Sequence, residues 1–287
     1  MIHVVKKIIL SVAKRVVIVY TKLKNSKKLV YGLNKEKYRS SKIIVSLTSY
    51  EARFSSVVLT LKSLLVQTVK PDKIIVWLDC DRKRLTNDMI ALEKYGIEYR
   101  CNVNNIRSHE KYYFAMQEFK EDIIITVDDD CIYPPTLIKS LLKTHEKYPN
   151  CVCARRVHEI KMSNNNIMPY MEWQHDCVNK KVPSHLIFAT GVGGVLYPPV
   201  SYVTDIFDAN KIIKLSYTAD DVWLKFMEIM SDIKVVWAPN FMPHPMEVIN
   251  SQNTSLREVN ITENFNDVCI SNMMKEYGKE VLTKICD

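Results

Sequence analysis

From residue 42 onward, short continuous apolar runs alternate with amphipathic stretches. The runs fall at residues 43–47, 74–78 and 123–127, and Val57, Val58, Leu61, Leu64 and Leu65 mark a helix between the first two. Further helices are predicted near 86–95, 109–119 and 135–147, the last opening at Pro134-Pro135, where a missing backbone N–H costs little. Apolar runs without alternation belong to strands buried on both faces, as in a parallel sheet covered by helices. The chain therefore reads as α/β, with a βαβαβ nucleotide-binding arrangement in its first half. After Cys151 the regularity lapses until 186–194, then resumes with a helix near 219–230 and a strand at 234–238. With no repeat and no low-complexity linker, residues 42–287 are expected to form one domain with two lobes, 42–150 and 151–287.

The first 41 residues follow another period. Ile2, Val5, Ile9, Val12, Val16, Val19 and Leu23 share one side of a helix, and Lys6, Lys7, Lys14, Arg15 and Lys22 share the other. No uncharged run there is longer than residues 16–21, far below the roughly 20 residues that cross a bilayer. A basic amphipathic helix of this kind suits the surface of an anionic cytoplasmic leaflet, and the plainer alternative is a helix packed on the protein's own domain.

Charge sharpens that division. The 287 residues carry a formal charge of +8, yet residues 1–42 hold twelve Lys/Arg against one acid, leaving residues 43–287 at −3. Basicity confined to one end argues against a nucleic-acid-binding domain, which needs a basic face across the fold. Eight cysteines include no CxxC pair, and Cys151-x-Cys153 has the wrong spacing for a zinc knuckle or redox motif. They read as reduced thiols in a cytoplasmic protein lying peripherally on the inner face of the cell membrane.

The most informative stretch is Asp128-Asp129-Asp130, directly after the apolar run at 123–127. Ligands of open α/β sheets gather at the carboxyl ends of strands, and three adjacent carboxylates repel one another unless a cation holds them. In extended chain Asp128 and Asp130 face one side and Asp129 the other, giving an Asp-x-Asp clamp suited to Mn²⁺ or Mg²⁺. A solvated acidic turn is the plain alternative.

The stretches at 43–50 with Arg53, at 128–130 and at 219–224 together resemble the family 2-like glycosyltransferases of the GT-A fold, in particular bacterial enzymes that build surface polysaccharides. That resemblance implies a Rossmann-like, mostly parallel sheet and transfer of a sugar from a nucleotide-diphosphate donor, with UDP favoured, to a glycan or lipid-linked glycan. Residues 42–150 become the nucleotide-sugar lobe and 151–287 the acceptor lobe. Thr48, Ser49, Tyr50 and Arg53 would border the donor, Asp79 the base, Lys111 the ribose or diphosphate, and Asp129 the donor beside the clamp. Asp128 and Asp130 would hold the metal, joined by His244 in its Pro-His-Pro loop. Gly193 and Gly194 match an acceptor-side glycine loop, and Trp173, with His175, could meet a sugar ring. Asp221 would take the proton from the acceptor hydroxyl, favouring inversion. Asp stands at 220 where many relatives have Glu, which leaves open which acid is the base.

Three rival readings remain. A nucleotidyltransferase acting on sugar phosphates would show a Gly-rich phosphate loop after the first strand, where this chain has Thr48-Ser49-Tyr50-Glu51-Ala52-Arg53. A glycoside hydrolase needs two carboxylates but no acidic cluster after a parallel strand. A non-catalytic, membrane-associated sugar-nucleotide-binding protein would not need intact acids at both 128/130 and 220/221.

Overall fold

A computed structural model describes residues 29–35, 38–101, 105–239, 245–248 and 264–286. The basic segment at 1–28 and His244 lie outside the described residues. Among the described residues no helix is long and apolar enough to cross a membrane.

The predicted runs become β1 (Ile43–Ser49), β2 (Lys73–Leu78) and β4 (Ile123–Thr126), and a further strand, β3 (Ile97–Cys101), completes a parallel set. The connecting helices are α1 (Phe54–Leu65), α2 (Asn87–Glu93) and α3 (Glu110–Glu118). Beyond β4 come a two-residue strand β5 (Cys131–Ile132), α4 (Leu137–Lys147), β6 (Val152–Ala154) and β7 (Val157–Glu159). A small hairpin, β8 (Met162–Ser163) with β9 (Asn166–Ile167), precedes β10 (Ile187–Ala189) and β11 (Val195–Tyr197). The chain closes with α5 (Ala209–Ser216), α6 (Asp220–Met230), β12 (Val235–Trp237), β13 (Met246–Glu247) and α7 (Phe265–Cys286).

The main sheet has the order β12-β6-β11-β4-β1-β2-β3. Parallel pairing is broken at β11, which runs antiparallel to both β4 and β6. The sheet is thus mostly parallel, as the Rossmann-like expectation requires. β3, α5 and α7 did not show in the hydrophobic pattern. In β3 only Ile97 and Tyr99 are buried, so no continuous apolar run marks it.

Side-chain alternation divides the core between the two faces of the sheet. Ile43, Val45 and Leu47 with Ile74, Val76 and Leu78 pack under α1, α2 and α4. Ile44, Ile75, Trp77 and Ile124 face α3, while Trp223, Phe226 and Met227 of α6 and Met273 of α7 extend the same cluster. Each fully buried residue of this size contributes about 1.5–3 kcal/mol relative to exposure.

A strap at residues 29–35 crosses the amino ends of the strands. The Gly32 N–H donates to Tyr95 O and the Asn34 N–H to Pro71 O, each at 2.8 Å. Gly32 is pressed so closely on Leu65 that a Cβ would lie 2.3 Å from a side-chain carbon. Arg39 continues the attachment through Asp72 at 2.7 Å.

Candidate active site

At the opposite, carboxyl end of the sheet lies a cavity of about 830 Å³. Polar residues of β1 build its floor. On the α3 face of β1, Ser46 Oγ donates to Lys111 O at 2.5 Å, and Trp77 Nε1 donates to Ser46 Oγ at 2.8 Å. Two residues on, Thr48 Oγ1 reaches Glu110 Oε2 at 2.6 Å. These bonds fix the first turn of α3 and aim Lys111 across the end of β4.

Lys111 is only 4% exposed. Its Nζ lies 2.8 Å from Asp128 Oδ1 and 2.9 Å from Asp220 Oδ2. Burial disfavours the ammonium, yet Asp128, Asp220 and Asp221 outweigh it and hold its pKa well above the ordinary lysine value. Burial pushes Asp220 up, but Lys111 and then His109 pull it below the usual carboxylate range. Asp221, beside it at the start of α6, moves the other way: burial and then the Asp220 charge raise it. The backbone N–H of Gly191 donates to both Asp221 oxygens, at 3.0 and 3.1 Å.

The acidic block does not divide as simple alternation predicts: residues 129 and 130 lie in a turn, Asp129 and Asp130 share Arg53, and Asp128 goes to Lys111. Asp129 is buried, its Oδ2 accepting from Ser49 Oγ at 2.6 Å and its Oδ1 from Arg53 Nη1 at 2.7 Å. The same Arg53 nitrogen reaches Asp130 Oδ2 at 2.9 Å. Arg53 and Lys111 supply within the chain part of the positive charge that these acids need. Asp129 is held by Ser49 and Arg53, which makes it an anchor of the loop at the wall of the cavity. Asp130 is pushed up to about 6 by burial and then by Asp128 and Asp129, so a further positive charge beside it would be favourable. Among the described residues no three His, Cys, Asp or Glu side chains converge as a metal-ligating set. Two carboxylates, Asp128 and Asp130, still fit the way Mg²⁺ is commonly held, by one or two acids with substrate phosphates and water.

Thr48, Ser49, Tyr50, Arg53, Asp79, Lys111, Asp128, Asp129, Asp130, Asp220 and Asp221 all line the cavity. Asp79 accepts from Asn105 Nδ2 at 2.7 Å, and Tyr50 stands at the surface with the Arg53 guanidinium 5.6 Å from its ring centre. Three expectations on the acceptor side are corrected. Trp173 does not line the cavity: its ring packs on Tyr170 and Phe188, and its Nε1 donates to Met168 O at 2.7 Å. Gly193 is pressed on Arg156, where a Cβ would lie 2.8 Å from backbone nitrogen. Gly194 takes φ +86°, turning the chain into β11. Both glycines shape the wall behind the cavity.

Glu110 was not singled out by the sequence, because an acid in a first helical turn is ordinary. Here it is buried between β1 and the turn at 106, whose N–H donates to Oε1 at 3.3 Å. Burial raises it from about 4.5 to about 7. The folded protein thus holds a proton that the unfolded chain releases, and this group's contribution to stability falls as pH rises from 4.5 to 7. Glu110→Gln removes that term, so the Tm of the wild type is expected to fall relative to the variant across this window, as read by thermal melts at several pH values. Parallel pH curves for the two proteins would exclude a neutral Glu110.

The profile of glycosyl transferase family 2 matches residues 45–193. No curated protein matches the sequence significantly. Among solved structures the chain is similar to S. aureus TarS 1–349 in complex with UDP, at 12% identity over 83% of this chain and 72% of that one, with a TM-score of 0.49. It is also similar to the mannosyltransferase PcManGT from Pyrobaculum calidifontis in complex with GDP-Man and Mn²⁺, at 10% identity, 86% and 68% coverage and a TM-score of 0.45. A third likeness is to CMP:2-keto-3-deoxy-manno-octonic acid synthetase complexed with CTP, at 11% identity, 69% and 89% coverage and a TM-score of 0.39. The family profile begins inside β1, runs through the acidic block and ends in the turn that contacts Asp221, spanning just over half of the chain; on that extent the chain belongs to glycosyl transferase family 2 and is a glycosyltransferase.

Proposed function

We propose that the cavity binds a nucleotide-diphosphate sugar, with UDP favoured on the family resemblance, and passes its sugar to a hydroxyl of a glycan or lipid-linked glycan with inversion. The observation that carries this reading is the convergence around Gly191. A Cβ there would lie 2.8 Å from Lys111 Nζ, 3.2 Å from Asp221 Oδ1 and 3.5 Å from Asp128 Oδ1. One backbone position thus adjoins a cation, a carboxylate with raised proton affinity and the first acid of the clamp.

These groups divide the work. Asp128 and Asp130 would hold Mn²⁺ or Mg²⁺, which when bound offsets charge on a departing diphosphate. Lys111 supplies a second positive charge at the same end. Asp220 is engaged with Lys111 and keeps it charged and placed. Asp221 is left to accept the proton of the attacking hydroxyl, the Gly191 N–H orienting its carboxylate. Thr48 and Asp79 border the nucleoside. The basic pattern of residues 2–24 supports a peripheral position on an anionic leaflet.

The test is a thermal-shift screen of the purified protein with UDP, GDP, CMP and their sugar conjugates, each with Mn²⁺ and with EDTA. One nucleotide is expected to raise the melting temperature with Mn²⁺ and much less with EDTA, since a ligand that binds only the native state stabilises it. Absence of any shift across the panel would overturn the donor assignment. Pyrophosphate release from a nucleoside triphosphate plus sugar phosphate would instead favour nucleotidyl transfer.

A further inference from the structure

Lys111 stands in the first turn of α3, and the Asp220-Asp221 pair in the first turn of α6. Neither helix is fixed there by a side-chain cap, for His109 and Ala219 at the two cap positions make no capping bond. What joins the two helix starts is contact between the turn at 107–109 and the turn at 216–219.

His109 is completely buried. Its Nε2 lies 2.8 Å from Ser216 O and its Nδ1 3.0 Å from the Tyr112 hydroxyl. A carbonyl oxygen only accepts, so the ring hydrogen sits on Nε2, and Nδ1 accepts from Tyr112. Burial pushes the imidazole down to about 4, against the pull of Asp220, so the ring is neutral at physiological pH. Ser216 O also accepts from the Ala219 N–H at 3.2 Å, and Ser216 Oγ donates to Ala219 O at 2.7 Å. The ring is therefore bonded to the closed turn from which Asp220 and Asp221 emerge.

Two contacts run beside this one. The Arg107 guanidinium lies 4.6 Å from the ring centre of Tyr217, and Lys111 Nζ lies 2.9 Å from Asp220 Oδ2. Arg107 takes φ +56°, a conformation sparsely populated by side chains of its kind. Residues 107, 109 and 111 thus meet 217, 216 and 220 in turn. The outer contact stands at the exposed rim of the cavity, and Lys111 is shared with Asp128. Only the His109 bond is made wholly inside the protein, where no ligand competes for it.

We infer that His109 is a positioning residue: its Nε2–H bond to Ser216 O sets where Asp220 and Asp221 stand against Lys111, so that one acid stays engaged and the other stays available. What the pair does for the reaction rests on the glycosyl-transfer reading above; its placement does not.

Selective ¹³Cγ-aspartate labelling reads the pair in the free protein, with Asp220→Asn and Asp221→Asn assigning the two signals. In the wild type one carboxyl should titrate below the ordinary range and the other above it. The groups facing them are Lys111, His109 and Asp128, with Tyr197 of β11. His109→Leu keeps the bulk and removes both ring bonds, so the turn opens to water and each titration should move about one unit toward the ordinary range. His109→Gln keeps an N–H for Ser216 O and an oxygen for Tyr112, and should restore the separation. General destabilisation would leave the titrations of the folded form where they are. Sugar transfer should fall about 10²-fold in the leucine variant, as for a reacting group displaced by about 1 Å, and recover in the glutamine variant.

Should the leucine variant not fold, ring ¹⁵N spectra of the wild type decide: the His109 signal, identified by its loss in His109→Gln, must show hydrogen on Nε2 and stay uncharged down to about pH 4. The inference fails if folded His109→Leu keeps the wild-type separation, if His109→Gln behaves as the leucine variant does, or if the ring carries its hydrogen on Nδ1. A nucleotide screen without any shift, beside a separation that His109→Leu collapses, would count against the donor assignment alone.

Discussion

Asp221→Asn is expected to lower the rate of sugar transfer about 10²- to 10⁴-fold, the range supplied by a positioned general base, while nucleotide affinity stays as in the wild type. The amide keeps an oxygen for the Gly191 N–H and nearly the same shape, so the loop that shapes the cavity is retained. It removes the one carboxylate of the 220–221 pair whose proton affinity is raised by burial and by its neighbour. Asp220→Asn should act differently: it releases Lys111, so nucleotide affinity should fall along with the rate. Initial rates combined with calorimetric nucleotide titration separate the two patterns. The wild-type pH–rate profile should also rise through a limb above the ordinary carboxylate range. A rate for Asp221→Asn close to that of the wild type would pass the base role to another group.

Lys111→Met is expected to cost about 3–5 kcal/mol of folding stability, because removing one partner from a buried charge cluster leaves the others uncompensated. Asp128 and Asp220 both lose their contact with Nζ, and Asp220 is itself buried. The pH dependence carries the sign. The raised lysine value means its contribution is fully present below the unfolded pKa near 10.5, hence throughout the neutral and acid range. The depressed Asp220 value means its contribution is present above the unfolded pKa near 3.8 and lost as pH falls further, through the folded value. The gap in urea stability between wild type and variant should accordingly be largest near neutrality and shrink once the pH falls below the ordinary carboxylate range. A gap independent of pH would assign the loss to packing of the lysine stem.

Most of the acid- and lysine-lined side of the cavity could be read from the chain because its residues sit at the ends of strongly patterned elements. Asp128 follows an unbroken apolar strand, Lys111 opens a helix and Asp220-Asp221 begins another, so position along the element already implied position in the sheet. What could not be read was partnership. Nothing local indicates that Arg53 would reach across 76 positions to Asp129, or that Glu110 would lie buried against Thr48. The side of the cavity built by residues 156–190 was harder still. Its strands are three residues long, too short for alternation to register, and Phe188 meets His158 only through pairing across an irregular stretch. Trp173 looked like a sugar contact on residue type alone, and its indole N–H finds a carbonyl five residues away instead.

The strap at 29–35 sets how this enzyme can be tethered. The chain enters the fold along the amino ends of β2 and β3, whereas the clamp and the cavity lie past the carboxyl ends, with β1 of seven residues, about 23 Å of extended chain, between the two. A linker fused ahead of residue 29 and attached to a sensor surface would pull on the back of the sheet and leave the mouth of the cavity facing solution. Long acceptor chains could then be offered to the immobilised protein without the surface blocking their approach.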